Sequence, residues 1–375
     1  MLLTLLILIV CVSYFVYNLR YEFLNFPLFL LARLQGHRFK LAKTQQEIKE
    51  ALMLTDKGHG IEELIATPAF EPILSLESVN GKQWIELKKN FLIFQKFLPS
   101  IQQLGIVAKH EMNKKLNEHS SELNSKDISI LTLRIFVNWM FNEVDSFNNV
   151  LSEEKLNKIY ESSIEYRKQI AFKGVGCQAK KQESVDIIVN LLKNSEKYKN
   201  VFVDWSQPEY FSVVMQPFII SPMINVSDIA VSVKQNIHKL EQFNNDTSSF
   251  IDYAIFNAHP FPVLERFDKK TNTQIFIKIT DLKEEKYNYG YGPRACLGRL
   301  YAREFLNEFF EPILQNHRTI NFMPQKDHLY SGRDNDNGNL TESIYQLKMM
   351  AKIYSSLILE RVRLQFKSIS VDYQE

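Results

Sequence analysis

Charge imbalance, cysteine pairs and turn-forming residues are all scarce in this chain, and each scarcity removes a class of protein. Its 375 residues carry 45 Lys and Arg against 43 Asp and Glu, a net charge of +2. That leaves no basic footprint for a nucleic-acid partner, and none is expected. Cys11, Cys177 and Cys296 are its only cysteines, too few and too scattered for a disulfide framework, which points to a reducing compartment. The eight histidines show no HxxxH or HExxH spacing, so a zinc site has no support. Twelve Gly and twelve Pro imply few tight turns and a mainly α chain with small β elements. What the chain does have is apolar material, 45% of residues with 12% aromatic, enough for a large buried core.

The first eighteen residues, MLLTLLILIVCVSYFVYN, hold no formal charge, close to the minimum length of a membrane-spanning helix. Arg20, Arg33, His37, Arg38, Lys40 and Lys43 follow, which keeps the remainder on the cytosolic side by the positive-inside tendency. A cleaved signal peptide is the alternative, but a basic n-region and a small-x-small cleavage site are both missing. The expected organisation is a transmembrane signal anchor over 1–18, a membrane-proximal segment over 19–43 and one domain over 44–375. FLNFPLFLLARL (23–34) reads equally as an interfacial or a core segment.

Helical periodicity predicts helices over 44–55, opened by Thr44, and over 82–97, 99–118 and 127–145. The Lys-rich stretches 152–169 and 178–199 read as surface helices with their connections. Residues 209–242 are apolar but interrupted by Pro217 and Pro222, either of which is expected to kink or end a helix. A short helix followed by a Pro pair is expected within 250–267. TQIFIKIT (273–280) alternates like a strand, a helix is expected over 297–315, and SGRDNDNGN (331–339) reads as a polar loop before helix 341–363.

Against this Gly-poor background, YNYGYGPRACLGRLYA (287–302) gathers Gly290, Gly292 and Gly298 around Cys296, just before a helix. Counted from Cys296, an aromatic (Tyr289) stands at minus seven, Gly292 at minus four, Arg294 at minus two and Gly298 at plus two. Each has a use if Cys296 binds the iron of a heme. The helix N-terminus behind it supplies a positive dipole and free N–H donors to a thiolate. Gly292 and Gly298 clear the approach of a flat macrocycle and permit unusual φ angles. Arg294 offers a fork of donors to a propionate, and Tyr289 shields the sulfur from water. A glycine-rich turn with an incidental buried cysteine is the bland alternative.

This aromatic-x-x-Gly-x-Arg-x-Cys-x-Gly pattern resembles the ligand loop of the cytochrome P-450 family of heme-thiolate monooxygenases, including an Ala in the next turn, Ala302. The resemblance implies a shortened cytochrome P-450-like fold, heme b with its iron on the Cys296 thiolate, a lipophilic small-molecule substrate and, for monooxygenation, a flavoprotein reductase. NGKQWIELKKNF (80–91) resembles the family's Trp-x-x-x-Arg helix, with Trp84 and Lys88 one turn apart and within reach of propionates; Lys is a point charge where the family has a fork. His259-Pro260 and Arg266 resemble a later segment whose Arg also contacts a propionate. Arg299 and Arg303 offer a docking patch or simply a solvated face.

The chain also departs from the family. The Glu-x-x-Arg pair is missing, with Ala254 and Asn257 in its places; Glu360–Arg363 has the spacing but follows the cysteine. The acid–alcohol pair of the central helix is missing too, Ser221 and Asn225 being the nearest polar candidates. Tyr289 replaces the usual Phe. The expectation is therefore a membrane-anchored heme-thiolate oxidoreductase, using oxygen or a ready-made peroxide, with a non-catalytic heme-binding or scaffold protein of the same fold as the alternative.

Overall fold

The computed structural model describes Ala32 and residues 35–58, 69–118, 123–142, 148–170, 177–258, 263–278 and 288–315. The expected anchor over 1–18, most of the segment 23–34, His259-Pro260, the polar loop 331–339, the helix 341–363 and the pair Glu360–Arg363 lie outside these residues.

The chain opens with β1 (Arg38–Ala42) and α1 (Gln45–Leu52). Thr44 starts α1 as its sequence suggested: the Glu47 N–H donates to Thr44 Oγ1 (3.2 Å) and the Thr44 N–H donates back to Glu47 Oε2 (3.2 Å), a reciprocal cap that satisfies two end donors. Four helices follow, α2 (Gly81–Gln95), α3 (Ile101–Glu118), α4 (Ser125–Phe141) and α5 (Glu153–Ile170). Asn124 and Asp127 cap α4 in the same reciprocal way, at 2.9 and 3.1 Å. The helix expected over 127–145 thus begins two residues earlier and ends at Phe141.

α6 (Gln178–Asn194) returns along α5. Lys158 reaches Glu183 (3.0 Å) and Lys180 reaches Glu161 (3.2 Å) between the two helices. These Lys-rich helices are not merely a surface layer. Ile159, Tyr166, Lys181 and Ile188 are fully buried on their inner face, because each helix keeps an apolar stripe beneath its charges. Burial pulls the Lys181 ammonium down to about 8, and its Nζ donates to the Ala69 carbonyl (2.7 Å).

Of the kink or end expected at the prolines of the central helix, the end does not occur. Pro217 and Pro222 neither end it nor divide it: α7 (Pro208–Val214) runs into a π-helical turn (Met215–Ile220), then α8 (Ser221–Asn236) and a 3-10 turn (Ile237–Phe243). Widening the turn lets the chain pass Pro217, which has no N–H to give, and Pro222 falls in the first turn of α8. Among the described residues this run, Pro208–Phe243, is the one helix long and apolar enough to span a membrane, but 72% of its most apolar window is buried inside the protein. It is a core element.

α9 (Thr247–Ala258), β2 (Val263–Asp268), β3 (Thr273–Lys278) and α10 (Arg299–Gln315) complete the described fold. The sheet runs β1-β3-β2, with β1 parallel to β3 and β2 antiparallel to it. β3 matches the predicted strand; β1 and β2 were not foreseen. An aromatic cluster joins four elements in the core. Phe218 of the π turn packs on Phe91 of α2 (5.9 Å), Phe136 of α4 (6.3 Å) and Tyr301 of α10 (5.4 Å). Trp139 adds its ring to Tyr301 (5.5 Å) and donates Nε1–H to the Ser100 carbonyl (3.0 Å). The segment preceding α10, which carries Cys296, is thereby held at a fixed place beside α2 and α9.

Candidate functional site

The backbone around Cys296 folds on itself. The Cys296 N–H donates to the Tyr289 carbonyl (2.8 Å) and the Ala295 N–H to that of Gly292 (3.1 Å). Gly290 and Gly292 sit at φ +72° and +74°, where side chains are strained. At Gly292 space forbids a side chain as well: an added Cβ would lie 2.6 Å from the Leu52 carbonyl oxygen. Its glycine therefore answers first to the end of α1. Gly298 differs, since a Cβ there would meet only Cys296 Sγ, at 3.9 Å. The Ala302 N–H donates to the Gly298 carbonyl (2.9 Å), which starts α10 and places Cys296 just ahead of it.

Two properties of Cys296 define its surroundings. Its side chain is exposed at its own surface. Yet its thiol is pushed up to about 11, chiefly by desolvation, with the Gly298 N–H bond pulling the other way. An ordinary surface cysteine does not suffer that desolvation. The Gly298 N–H steadies negative charge on its sulfur. This donor set, a reachable sulfur with an amide on it and a helix start behind it, is chemically suited to hold the iron of a heme.

α2 brings Trp84 and Lys88 to the loop. Lys88 Nζ donates to the Pro293 carbonyl (3.3 Å) and lies 5.1 Å from the Trp84 ring centre; the Arg294 guanidinium stacks on that ring at 4.5 Å. Arg294 itself turns towards the main chain, with Nε on the Thr55 carbonyl (2.7 Å), and Nη2 on the Val79 carbonyl and Asn80 Oδ1 (both 2.9 Å). Arg266 is buried on β2, its Nη1 donating to the Glu265 carbonyl (2.6 Å). The sheet meets the loop through the next residue: the Phe267 N–H donates to the Asp56 carbonyl (2.8 Å), adjacent to the Thr55 carbonyl that Arg294 holds.

Tyr289 packs against the core with its hydroxyl buried and without a hydrogen-bond partner, and burial drives its phenol upwards. Behind the loop, Asn288 Nδ2 donates to the Asp252 carbonyl of α9 (2.7 Å), and Arg303 pairs with the Asp252 carboxylate (3.3 Å). Ala254 is fully buried, its carbonyl accepting from Ser232 Oγ (2.8 Å), and Asn257 bonds the Tyr253 carbonyl (2.8 Å). The helix is present where the resemblance placed it, without the charged pair. Along the buried central helix, Pro217, Ser221, Ile224 and Asn225 share a partly accessible stripe, as their helical spacing allows. Gln216 and Asp228, polar groups of the same helix, are buried. Sequence reading missed Thr55 and Asn80 as partners of the loop: an asparagine before a helix signals only a cap, and a carbonyl signals nothing.

A small sheet beside a helical body, a long central helix and a cysteine loop feeding the last described helix define the cytochrome P450 fold. Solved structures bear this out. CYP175A1 from Thermus thermophilus is 13% identical, with 74% of this chain and 81% of that one covered at a TM-score of 0.54. A 6-coordinated cytochrome P450 from a second strain of the same species is 14% identical over 73% and 83%, at 0.53. P450BioI, in complex with hexadec-9Z-enoic acid ligated acyl carrier protein, is 13% identical over 81% and 92%, at 0.51. No protein-family model and no curated protein matches the chain.

Proposed function

We propose that the chain binds heme b through Cys296 and acts as a heme-thiolate oxidoreductase on a lipophilic small molecule. The observation that carries this reading is the accessible, desolvated sulfur of Cys296 at the head of α10, within a P450 fold. When bound, a thiolate-ligated heme supplies the oxidising chemistry. The protein's own groups do the rest. The Gly298 N–H moderates charge on the sulfur, Tyr289 packs water away from it, and Lys88 and Trp84 stand at the rim of the loop. Burial alone favours the thiol over the thiolate, so a cation on the sulfur is needed to hold it deprotonated at neutral pH.

Ser221 is the one hydroxyl on the accessible stripe of the central helix, and Asn225 has no acidic proton to give. This supports use of a ready-made peroxide, or of water for proton delivery, over a relay through an acidic side chain. An apolar substrate is in keeping with the acyl chain carried in the complex of the similar P450BioI. The apolar run 1–18 followed by basic residues supports an uncleaved anchor in the endoplasmic reticulum or another internal membrane, with the domain in the cytosol. Met53, Ile85, Tyr291 and Leu300 are exposed apolar residues on elements around the loop, and with Arg299 they suit a flavoprotein reductase if oxygen is the oxidant.

The test is optical. Reduced protein under carbon monoxide should show the thiolate-ligated band, and Cys296→Ser should lose it while keeping the fold. A wild type that takes up heme without that band overturns the ligand assignment. The absence of a charged pair at Ala254 and Asn257 favours a second reading, a heme-binding scaffold without turnover. Peroxide or NADPH consumption coupled to product from a panel of lipids separates the two.

A further inference from the structure

Arg294 carries five N–H donors, and its three nitrogens reach at least five acceptors among the described residues. Nε donates to the Thr55 carbonyl at 2.7 Å, Nη1 to the carbonyls of Leu76 and Glu77 at 3.5 and 3.4 Å, and Nη2 to the Val79 carbonyl and Asn80 Oδ1, each at 2.9 Å. Four of the five are main-chain carbonyls. They come from two stretches, one following α1 and one preceding α2. The flat face of the guanidinium is covered by Trp84.

Asn80 supports the same conclusion independently. It occupies the N-cap position of α2 but its side chain makes no cap bond. Its Oδ1 accepts from the Lys57 N–H (3.1 Å) as well as from Arg294, and its Nδ2 donates to the Gly58 carbonyl (3.1 Å). A residue well suited to cap a helix is used instead to tie residues 57–58 to Arg294. Gln274 Nε2 on the Lys57 carbonyl (2.9 Å) and the Phe267 N–H on the Asp56 carbonyl (2.8 Å) fasten the same stretch to the sheet. The result is a cradle of acceptors around one cation.

We propose that Arg294 is a positioning residue, a latch that fixes the Cys296 loop to residues 55–80, and that it does not hold the carboxylates of a bound porphyrin, which the resemblance already gives to Lys88. The second clause rests on the heme reading above; the latch does not. A carboxylate taken by Arg294 would have to displace carbonyls already bonded to it, and each displaced carbonyl inside the fold would need a new donor. Lys88 faces no such conflict. An ammonium has three N–H, Pro293 takes one, and the flexible stem beside Trp84 lets the others swing. The latch also answers a deficit on the other side of the loop, where α9 offers Asp252 and no charged pair at 254 and 257.

The test uses the full chain with hemin and with hemin dimethyl ester, whose carboxylates are masked. In the wild type, esterification should weaken binding about tenfold, the loss of one charge-assisted contact. Arg294→Ala should show the same ratio between the two ligands, and Lys88→Ala a ratio near one. This is a double-mutant cycle with one mutation placed in the ligand. In heme-free protein, Arg294→Ala should lower the melting temperature by several degrees and speed amide exchange at Lys57, Phe267 and Cys296, and Lys88→Ala should do neither. Should Arg294→Ala fail to fold, Arg294→Lys and Asn80→Ala give graded versions of the same loss. The proposal is overturned if the ratio collapses in the Arg294 variant, or if heme-free stability and exchange are untouched by it. Hemin that fails to bind any variant, with the heme-free effects intact, defeats the heme reading and leaves the latch.

Discussion

The aromatic cluster around Phe218 and the loop around Cys296 are neighbours held together by opposite means. The cluster is an assembly of rings from α2, α4, the π turn and α10 at centroid distances of 5.0–6.3 Å, attracted without strict direction. The loop rests on directional bonds: a guanidinium on carbonyls, an amide on a sulfur, two glycines at positive φ. Rings tolerate a change of shape at a cost that scales with the volume removed. A hydrogen-bonded loop fails by single atoms.

The largest effect should come from Phe218→Ala in the cluster, which removes a whole ring and should cost about 3–5 kcal/mol in urea unfolding. Its Cys296 loop should keep native amide exchange if the protein folds. Gly292→Ala adds one methyl to the loop and should cost about 1–3 kcal/mol from backbone strain alone, with the 2.6 Å approach to the Leu52 carbonyl added. A Gly292→Ala change below about 0.5 kcal/mol, the range of an ordinary surface substitution, would show that the loop yields like the core, and the contrast would fall.

A pH titration sharpens the comparison from the chemical side. Burial lifts the Cys296 thiol from its ordinary 9.0 to about 11, so the heme-free folded state keeps that proton longer than the unfolded chain. The stability this confers is full below about pH 9 and declines as pH rises towards 11. Alkylation of the accessible sulfur should be slow at neutral pH and accelerate up to about pH 11; a plateau at or below the ordinary thiol value would deny the desolvation. The smallest effect belongs to neither region. Lys158→Ala on the solvent side of α5 should change stability by about 0–1 kcal/mol, which calibrates the two larger losses.

Much of the fold was legible because it is local. Thr44 and Glu47 announce α1, helical periodicity outlines α2, α3 and α5, and the spacing around Cys296 stands out in a chain with few glycines. β1 was not legible because its partner, β3, pairs with it in parallel from far along the chain, Arg38 opposite Thr273. β2 was hidden behind a Pro pair, and no element was assigned to it. Lys181 sits in a stretch whose other lysines are solvated, and only packing shows that it turns inward. In the site, side-chain types marked Cys296, Arg294, Trp84 and Lys88. Most acceptors of Arg294 are backbone oxygens, which every residue has, so no pattern of letters distinguishes Thr55 or Val79.

The wide turn at Met215–Ile220 works as a spacer in the chain's numbering. One residue advances an α-helix by about 100°, so a segment that accommodates an extra one rotates all that follows it. Phe218 faces the ring cluster and, three positions on, Ser221 lies on the accessible stripe; both assignments depend on that surplus residue. Deleting one position there and allowing the helix to regularise would swing the stripe about a quarter of the way round. A different set of side chains would then be accessible, which makes this turn a place where a single codon's gain or loss can redraw the open face of the central helix.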